Sequence, residues 1–421
     1  MADATSSAPP IGVSAGTRGS HEARGSGSPP ERRLNKDLRA AGIAGSRLRW
    51  PRPDSMERQR HLGVEGAGQE RGRVTHMSKP VIAITMGDPA GIGPEIVARA
   101  LGEAEVRACC NPVVIGDPKI LARAVELVGS RLSIVIVPTA AGAGTNPSTL
   151  DVVPAGELPA GALMPGTLDA RWGESAATCC RRAVEIAKAG EVSAIVSTPF
   201  NKEAFHMAGI MAMDDMVYFQ QCFGGLDDAY MIGEVAGLWV TTVTFHVPFR
   251  AIADLITVET VLEKTRGLHR VMQVAKVTPL RIGVAGLNVH SGEGGMFGRE
   301  EIDVIGPAIR KANAEGYNVA GPVPPDSLFP NALRGDYGGL VCMYHDQANI
   351  GRKILGRERP GVTLYMGMPT PVVTVPHGTA YDIAWKGVAK HAMLARAITI
   401  AAAMAEGTSR GWYASGITDN S

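Results

Sequence analysis

From residue 78 onward, short apolar stretches alternate with amphipathic ones, and this alternation limits the fold more than any other feature. The segment PVIAIT (80–85) predicts a buried strand, and after a glycine-rich loop PEIVARAL predicts a helix with Pro94 at its first position. The segment 175–190 has helical spacing and ends at Gly190, and VSAIVSTP (192–199) predicts the next strand. Strands that alternate with helices are typical of α/β proteins.

Residues 1–77 lack this alternation. They are rich in Gly, Ser, Pro and Arg, and they carry 13 Lys and Arg against 8 Asp and Glu. Because such a composition buries little apolar surface, we predict a disordered extension. Met77 opens the stretch MSKPVIAITMGDPAG, which resembles a natural start, so we expect the native protein to begin there. The alternative is an Arg-rich targeting arm, although acidic residues interrupt it and no amphipathic stripe occurs.

The overall composition argues against two classes of partner. The net charge of the 421 residues is +1, which favours neither a nucleic acid nor an anionic membrane. No apolar run approaches the roughly 20 residues of a transmembrane helix. The six cysteines form no CxxC pair, and four of them stand as two adjacent pairs, a poor arrangement for structural disulfides. We therefore expect reduced thiols and a cytoplasmic protein.

Three predicted strands each lead to a histidine. The segment 237–250 reaches His246, 281–295 reaches His290, and 338–347 reaches His345. Ligands of open α/β sheets gather beyond the carboxyl ends of strands, so three imidazoles there could converge on one metal ion. The alternative is that each is an ordinary core or surface histidine, because the pattern is not a short-range ligand motif such as HExxH.

Three neutral imidazoles suit a borderline transition ion. Zinc is the first expectation, manganese and cobalt follow, and magnesium is less favoured because it prefers oxygen ligands. Lys353, eight residues after His345, is a candidate for proton transfer or for binding a carboxylate, and the alternative is a solvated surface lysine on a helix. Asp346 is a candidate for orienting a histidine ring, or else for capping the following helix. Lys202, which follows the strand 192–199, is a weaker candidate for the site.

Five segments together resemble the 4-hydroxythreonine-4-phosphate dehydrogenase family. They are TMGDPAGIGPE, HVPFR, GLNVHSGEGGMFGREEID, MYHDQ followed by Lys353, and PHGTAYDIAWKG. Each is a weak signal alone, but their order and spacing across 78–405 are specific. The first and last segments also resemble, more distantly, those of isopropylmalate and isocitrate dehydrogenases.

The resemblance implies two α/β/α domains with an active-site cleft between them, as in isopropylmalate and isocitrate dehydrogenases. We place the first domain, on the NAD side, at 78–208 plus 365–421. The second domain, at 209–364, would carry the metal ligands and the dimer contacts. The family implies an obligate homodimer whose active sites are shared between subunits.

The resemblance also implies a chemistry. A divalent metal would be held at the subunit boundary by His246, His290 and His345. NAD would oxidise a secondary alcohol, and the resulting β-keto acid would lose CO2. Lys353 corresponds to a lysine that contacts substrate. The loop that begins at His377 resembles the adenosine-binding loop of the decarboxylating dehydrogenases, and its expected cofactor-binding residues are His377, Gly378, Thr379 and Asp382.

Four expected substrate-binding positions depart from the family's pattern. Asp215 and Met216 stand where the family has His and Thr, and Thr363 and Val372 stand where it has Asn and Arg. Loss of a His and an Arg removes cationic partners for an anionic substrate, which argues against the family's own substrate. Asp215 could instead accept hydrogen bonds from a polyol or an amine, or serve as a fourth metal ligand.

The sequence therefore does not decide between several substrates. The candidates are 4-hydroxythreonine 4-phosphate, a sugar-acid phosphate such as threonate or erythronate 4-phosphate, and a cis-dihydrodiol carboxylate such as terephthalate dihydrodiol. A relative without catalytic activity, which binds metal or nucleotide, is the alternative from another class. The complete set of three histidines argues against it.

Overall fold

The computed structural model of the chain describes residues 79–226, 229–356 and 361–408, so the predicted extension at 1–77 lies outside the described residues. The strands are β1 (Val81–Thr85), β2 (Asn111–Gly116), β3 (Ser133–Ile136), β4 (Thr149–Pro154), β5 (Ala194–Ser197), β6 (Tyr230–Val235), β7 (Leu238–Thr242), β8 (Ile282–Ala285), β9 (Val319–Val323), β10 (Gly339–Cys342), β11 (Gly361–Met366) and β12 (Val372–Thr374).

The α-helices in the same part of the chain are α1 (Gly93–Ala100), α2 (Ala104–Cys109), α3 (Pro118–Leu127), α4 (Ala170–Lys188), α5 (Lys202–Met207), α6 (Asp215–Phe223), α7 (Ile252–Leu255), α8 (Val258–Val274), α9 (Gly306–Ala314), α10 (Pro325–Leu333), α11 (His345–Leu355) and α12 (Ala392–Thr408). Helix α4 begins before the predicted segment because the Asp169 carboxylate accepts the Arg171 amide and caps the helix there.

All twelve strands form one sheet, in the order β3-β4-β2-β1-β5-β12-β11-β6-β7-β10-β8-β9. The neighbours are parallel except at the centre, where β11 runs antiparallel to β12 and β6, and β6 runs antiparallel to β7. The first six strands in this order come from the first predicted domain, and the last five come from the second. The predicted boundary at 364/365 falls inside β11, and the division into two domains stays a prediction.

The sheet is covered on both faces where it carries the histidine-bearing segments. On β10, Leu340 and Cys342 join an apolar cluster with Leu328 of α10, whereas Val341 and Met343 join the larger core. Burial on both faces explains why this strand reads as a continuous apolar run instead of an alternating one. The predicted α/β class is confirmed.

Two expectations from composition can be compared with the structure. All six cysteines are free, and four of them are buried. Among the helices described, none combines the length and the apolar character that crossing a bilayer requires.

Candidate active site

The three strands that lead to the histidines are neighbours. Strand β10 pairs with β7 on one side and with β8 on the other, and both pairings are parallel. Their carboxyl ends therefore lie at one edge of the sheet, which is where ligands of such sheets bind. His345 is the first residue of α11, directly after β10, whereas His246 and His290 follow β7 and β8 in loops.

A cavity of about 520 Å³ opens beside this edge. Two of the predicted metal ligands, His246 and His345, line it, and so do two carboxylates, Asp214 and Asp215. Three cationic side chains also line it: Lys202, Arg352 and Lys353. The lining residues come from both of the segments predicted as domains.

His246 and His345 face each other across this cavity. Their ring centroids are 5.6 Å apart, and the ring of Phe245 lies 4.1 Å from the first and 5.3 Å from the second. The Nδ1 atom of His345 lies 2.6 Å from Oδ1 of Asp346, and Nδ1 of His246 lies 3.6 Å from Oδ2 of Asp214. Each imidazole thus has a carboxylate beside Nδ1, which leaves Nε2 as the nitrogen available to a ligand.

This donor set fits a divalent metal. Metal-binding histidines commonly present their second ring nitrogen to a carboxylate, which fixes the tautomer and the ring orientation. Imidazole nitrogens bind zinc at about 2.0–2.1 Å, and the centroid separation of 5.6 Å leaves room for one ion between the rings. Asp346 contacts His345 through its side chain, and no bond from its carboxylate to a helix-terminal amide is observed in α11.

His290 lies apart from this pair. It sits in a turn, Val289–Gly295, in which six successive residues from His290 to Gly295 have positive φ. Left-handed backbone costs about 1–2 kcal/mol for each residue that carries a Cβ, so the turn needs support. The buried Glu301 carboxylate supplies it by accepting the amides of Leu287 and Asn288, both at 2.7 Å.

The side chain of His290 is exposed, and its Nδ1 lies 3.1 Å from Oε2 of Glu293. It does not line the cavity. Within the described ranges, no three His, Cys, Asp or Glu side chains lie together as one metal site. A single chain therefore brings together two of the three predicted ligands.

Lys353 reaches the cavity from α11. The cavity is lined by four residues of this helix and by the residue that follows it: His345, Asn349, Arg352, Lys353 and then Gly356. Offsets of four, seven, eight and eleven residues place them on one helical face. Asn349 and Arg352 were not anticipated from the sequence, yet the helical period counted from His345 would have found both.

Asp215 and Lys202 also line the cavity and lie close to each other. Asp214 caps α6 by accepting the Val217 amide at 2.9 Å, and Asp215 follows as the first helical residue. The Lys202 ammonium lies 3.8 Å from the Asp215 carboxylate. Burial raises the pKa of Asp215 to about 6, against the opposing effect of Lys202. Asp214, which the sequence analysis missed, is the acidic neighbour of His246.

The remaining predicted substrate contacts divide into two groups. Thr363 lines the cavity, on a strand whose register pairs it with Gly233 on one side and Thr374 on the other. Val372 is fully buried in the core, Met216 is nearly so, and neither lines the cavity.

The predicted cofactor loop borders the cavity at His377 and Gly378, whereas Thr379 and Asp382 lie outside its lining. The loop packs on the glycine-rich turn that follows β1. The Thr379 carbonyl accepts the Ile92 amide at 3.0 Å, and a Cβ at Gly91 would lie 2.9 Å from Cβ of Thr379. Glycine is therefore required at position 91 for the close approach of the two loops.

Asp88 links the same two loops from a buried position. Its carboxylate accepts the Tyr381 hydroxyl at 2.6 Å and the Ala90 amide at 2.8 Å. Burial raises the pKa of Asp88 from 3.8 to about 6, although these hydrogen bonds oppose the shift. The carboxyl group is thus held where its charge is costly at neutral pH.

We expect Asp88→Asn to flatten the dependence of stability on pH. Because the folded state raises the pKa of Asp88, its stabilising contribution is complete below pH 4 and is lost as pH rises through 6. The wild type should lose about 3 kcal/mol of unfolding free energy relative to the variant between pH 4 and 7.5. Urea unfolding across this pH range measures the free energy of unfolding of each protein.

Asp169→Asn is the control, because Arg171 holds the pKa of this carboxyl at about 2. Parallel curves for wild type and Asp88→Asn would contradict the expectation.

The chain is also similar to proteins of a known family. The chain matches the family described as "Pyridoxal phosphate biosynthetic protein PdxA" over residues 108–401. It is 38% identical over 328 residues to a Symbiobacterium thermophilum protein named "Putative D-threonate 4-phosphate dehydrogenase", covering 77% of this chain and 96% of that one.

Two solved structures are also similar. A 4-hydroxythreonine-4-phosphate dehydrogenase from Burkholderia phymatum has a TM-score of 0.67 at 37% identity, over 78% of this chain and 99% of that one. A terephthalate 1,2-cis-dihydrodiol dehydrogenase from Burkholderia xenovorans LB400 has a TM-score of 0.57 at 30% identity, over 77% and 98%.

The α/β sheet and the cavity at its carboxyl edge, taken with these relatives, define an oxidoreductase of the dehydrogenase class. The chain belongs to the PdxA family. The family predicted from the sequence is therefore confirmed, and so is the prediction of a dehydrogenase of this kind.

Proposed function

We propose that this dehydrogenase uses NAD and a divalent metal ion to oxidise and decarboxylate a small phosphorylated 3-hydroxy acid. The observation that carries the proposal is one cavity that holds the His246–His345 pair together with Lys202, Arg352 and Lys353. Such a set suits a substrate that carries a hydroxyl group, a carboxylate and a phosphate. D-threonate 4-phosphate, named for the Symbiobacterium relative, and 4-hydroxythreonine 4-phosphate both have this composition.

The proposed reaction has two steps. The hydroxyl at the third carbon loses its proton and the carbon loses hydride to NAD, which gives a β-keto acid and NADH. The bond to the carboxyl carbon then breaks, CO2 leaves, and the remaining electron pair forms an enolate that takes up a proton. A four-carbon sugar-acid 4-phosphate would give a three-carbon ketone phosphate.

Two groups that the chain must bind supply part of this chemistry: NAD accepts the hydride, and a divalent cation stabilises negative charge on substrate oxygens. We propose His246 and His345 of one chain and His290 of a second chain as the metal ligands. Zinc is the first candidate ion by donor type, with manganese and cobalt next. The adenosine part of NAD would lie on the loop whose cofactor-binding residues were predicted above.

The side chains of the cavity divide the remaining work. Lys353, on the same face of α11 as His345, would hold the carboxylate or return the proton to the enolate. Asp346 would keep His345 in one tautomer. Asp215, whose pKa is about 6, would accept hydrogen bonds from substrate hydroxyl groups at neutral pH. The Thr363 hydroxyl, which also lines the cavity, would donate a hydrogen bond to the substrate.

Exposed apolar side chains around the three histidines support a homodimer. Phe249 follows His246 and is 77% exposed, Val289 precedes His290, and Ile350 and Ile354 lie one turn apart on α11. Large apolar side chains exposed near a site are candidates for a protein interface. A second chain seated there would bring its own His290 turn toward the cavity. The six free thiols support a reducing compartment such as the cytoplasm.

A substrate screen with purified, metal-loaded protein tests the proposal. NADH formation at 340 nm and CO2 release are measured with D-threonate 4-phosphate, D-erythronate 4-phosphate, 4-hydroxythreonine 4-phosphate and terephthalate cis-dihydrodiol, with NAD and NADP in parallel. We expect saturable NADH formation and equimolar CO2 with a phosphorylated acid. Turnover of the dihydrodiol alone would favour the activity named for the Burkholderia xenovorans relative. No turnover of any of them, with tight metal binding retained, would favour a relative without catalytic activity.

A further inference from the structure

We propose that the Arg352 guanidinium binds an oxyanion of the substrate, its phosphate or its carboxylate, and that Gly233 provides the space in which this side chain lies. The inference rests on the proposed function, since it assigns an anionic group of that substrate to a residue. The family's pattern assigns no role to either position, and the proposed function names Arg352 only as one of three cations that line the cavity.

Gly233 allows the guanidinium to lie directly on the sheet. A Cβ built at Gly233 would stand 1.8 Å from Cζ of Arg352 and 2.0 Å from Nη2. A side chain at position 233 would displace the guanidinium from this place, and Gly233 does not have the positive φ that would explain a glycine by backbone conformation. Glycine in the interior of a strand often marks a close approach by another group. Here the approaching group is a cation that lines the cavity.

The sheet register places this cation beside hydroxyl groups. Gly233 pairs with Thr363, and Thr363 pairs with Thr374. Residues in register on adjacent strands point to the same face, about 4.7–4.9 Å apart. The guanidinium therefore occupies the side-chain position next to Thr363, and both threonines line the same cavity. A guanidinium beside the Thr363 hydroxyl is a suitable pair of donors for an oxyanion, whereas the Thr374 hydroxyl already donates to the Ser197 carbonyl at 3.2 Å.

Arg352 is incompletely satisfied by the protein. Its Nη1 donates to Oδ1 of Asn349 at 2.9 Å, but its Nε is buried and has no hydrogen-bond partner among the residues described. Among the residues described, the Glu234 carboxylate acts on the Arg352 charge, but its own contacts are with other groups. It pairs with Arg396 at 3.0 Å and accepts the Gly237 amide at 2.8 Å.

Removing part of a guanidinium from water is costly unless an anion pairs with it, and burial lowers the pKa of Arg352. A ligand oxyanion would accept from Nε and provide the missing negative charge. Lys202 is less suited to this role because it already faces Asp215. Lys353 is exposed and offers a flexible point charge instead of a planar fork.

Arg352 also bears on the cationic substrate contact that is lost at position 372. The position at which the family's pattern has an arginine holds Val372, which is buried in the core. Arg352 brings a guanidinium to the cavity from a different element, α11, and reaches the strand next to that of Thr363. The chain thus replaces a lost cationic contact from another direction, which alters where the anionic group lies relative to the histidine pair.

Ligand binding to the full-length chain tests the proposal. Dissociation constants are measured by calorimetry for inorganic phosphate, D-threonate and D-threonate 4-phosphate, with wild type, Arg352→Met, Arg352→Lys and Gly233→Ala. A charged hydrogen bond contributes about 1.5–3 kcal/mol, so we expect Arg352→Met to weaken D-threonate 4-phosphate binding by about 10- to 100-fold. Arg352→Lys should give an intermediate loss because it keeps the charge but not the fork. Gly233→Ala should weaken binding while Arg352 remains in the sequence.

The probes separate the two possible sources of the oxyanion. Weaker phosphate binding with unchanged D-threonate binding assigns Arg352 to the phosphate, and the reverse assigns it to the carboxylate. Arg334→Met is the matched control, since it removes an exposed arginine that pairs with Asp336 outside the cavity. Unchanged binding of all three probes by folded Arg352→Met would overturn the proposal. The proposed function fails separately if wild type makes no NADH, because phosphate binding does not depend on turnover.

Discussion

His345→Ala should lose its bound divalent metal, and its kcat/KM for the phosphorylated hydroxy acid should fall at least 100-fold. The removed ring faces His246 at 5.6 Å and has its Nδ1 fixed by Asp346 at 2.6 Å. Loss of an outer hydrogen-bond partner alone costs about 10- to 100-fold in metal affinity or activity, and loss of the ligand itself should cost more. Asp346→Asn should therefore lie between wild type and His345→Ala.

The measurement combines metal content by mass spectrometry with NADH formation. His391→Ala is the matched control, because His391 also pairs with a carboxylate, Glu103 at 2.8 Å, but lies outside the cavity. It should keep both metal and activity. Near-normal metal content and activity in folded His345→Ala would show that the imidazole pair is not a metal site.

The local elements of the fold could be predicted from the sequence. Buried strands, the loops after them and a histidine beyond three of the strands could all be predicted because they depend on local runs of apolar residues. The neighbouring order β7-β10-β8 could not be predicted from the residues themselves. It depends on pairings between segments about 55–100 residues apart, which no local period records. The family resemblance provided that information indirectly.

The residues that were missed share a physical reason. Arg352 is next to Lys353 in sequence and is significant only because Gly233, more than a hundred residues away, leaves space for it. Asp214 reads as a helix cap, and the structure shows it in that role as well as beside His246. Val372 aligns with a substrate contact of the family, yet it lies on β12 within the core. Alignment gives a position along the chain, whereas the direction of a side chain depends on the sheet register.

Mixing two inactive variants should restore activity. If two chains share each metal site, a chain with His246→Ala and His345→Ala still supplies His290, and a chain with His290→Ala still supplies the other two. A hybrid dimer then has one complete site of two, so a random mixture should recover about a quarter of wild-type activity. The structure motivates this expectation, because the described residues of one chain assemble two of these histidines and leave His290 on an exposed turn.

Co-expression with two different affinity tags gives the purified hybrid, in which about half of wild-type activity is expected. The matched control combines a His246→Ala chain with a His345→Ala chain. Since these two rings face each other within one chain, each hybrid site would still lack one ligand, and no activity should return. Rescue in the control would contradict the pairing of His246 with His345 in one chain. No rescue in the first mixture, with dimers verified by mass, would show that His290 does not complete the site across the subunit boundary.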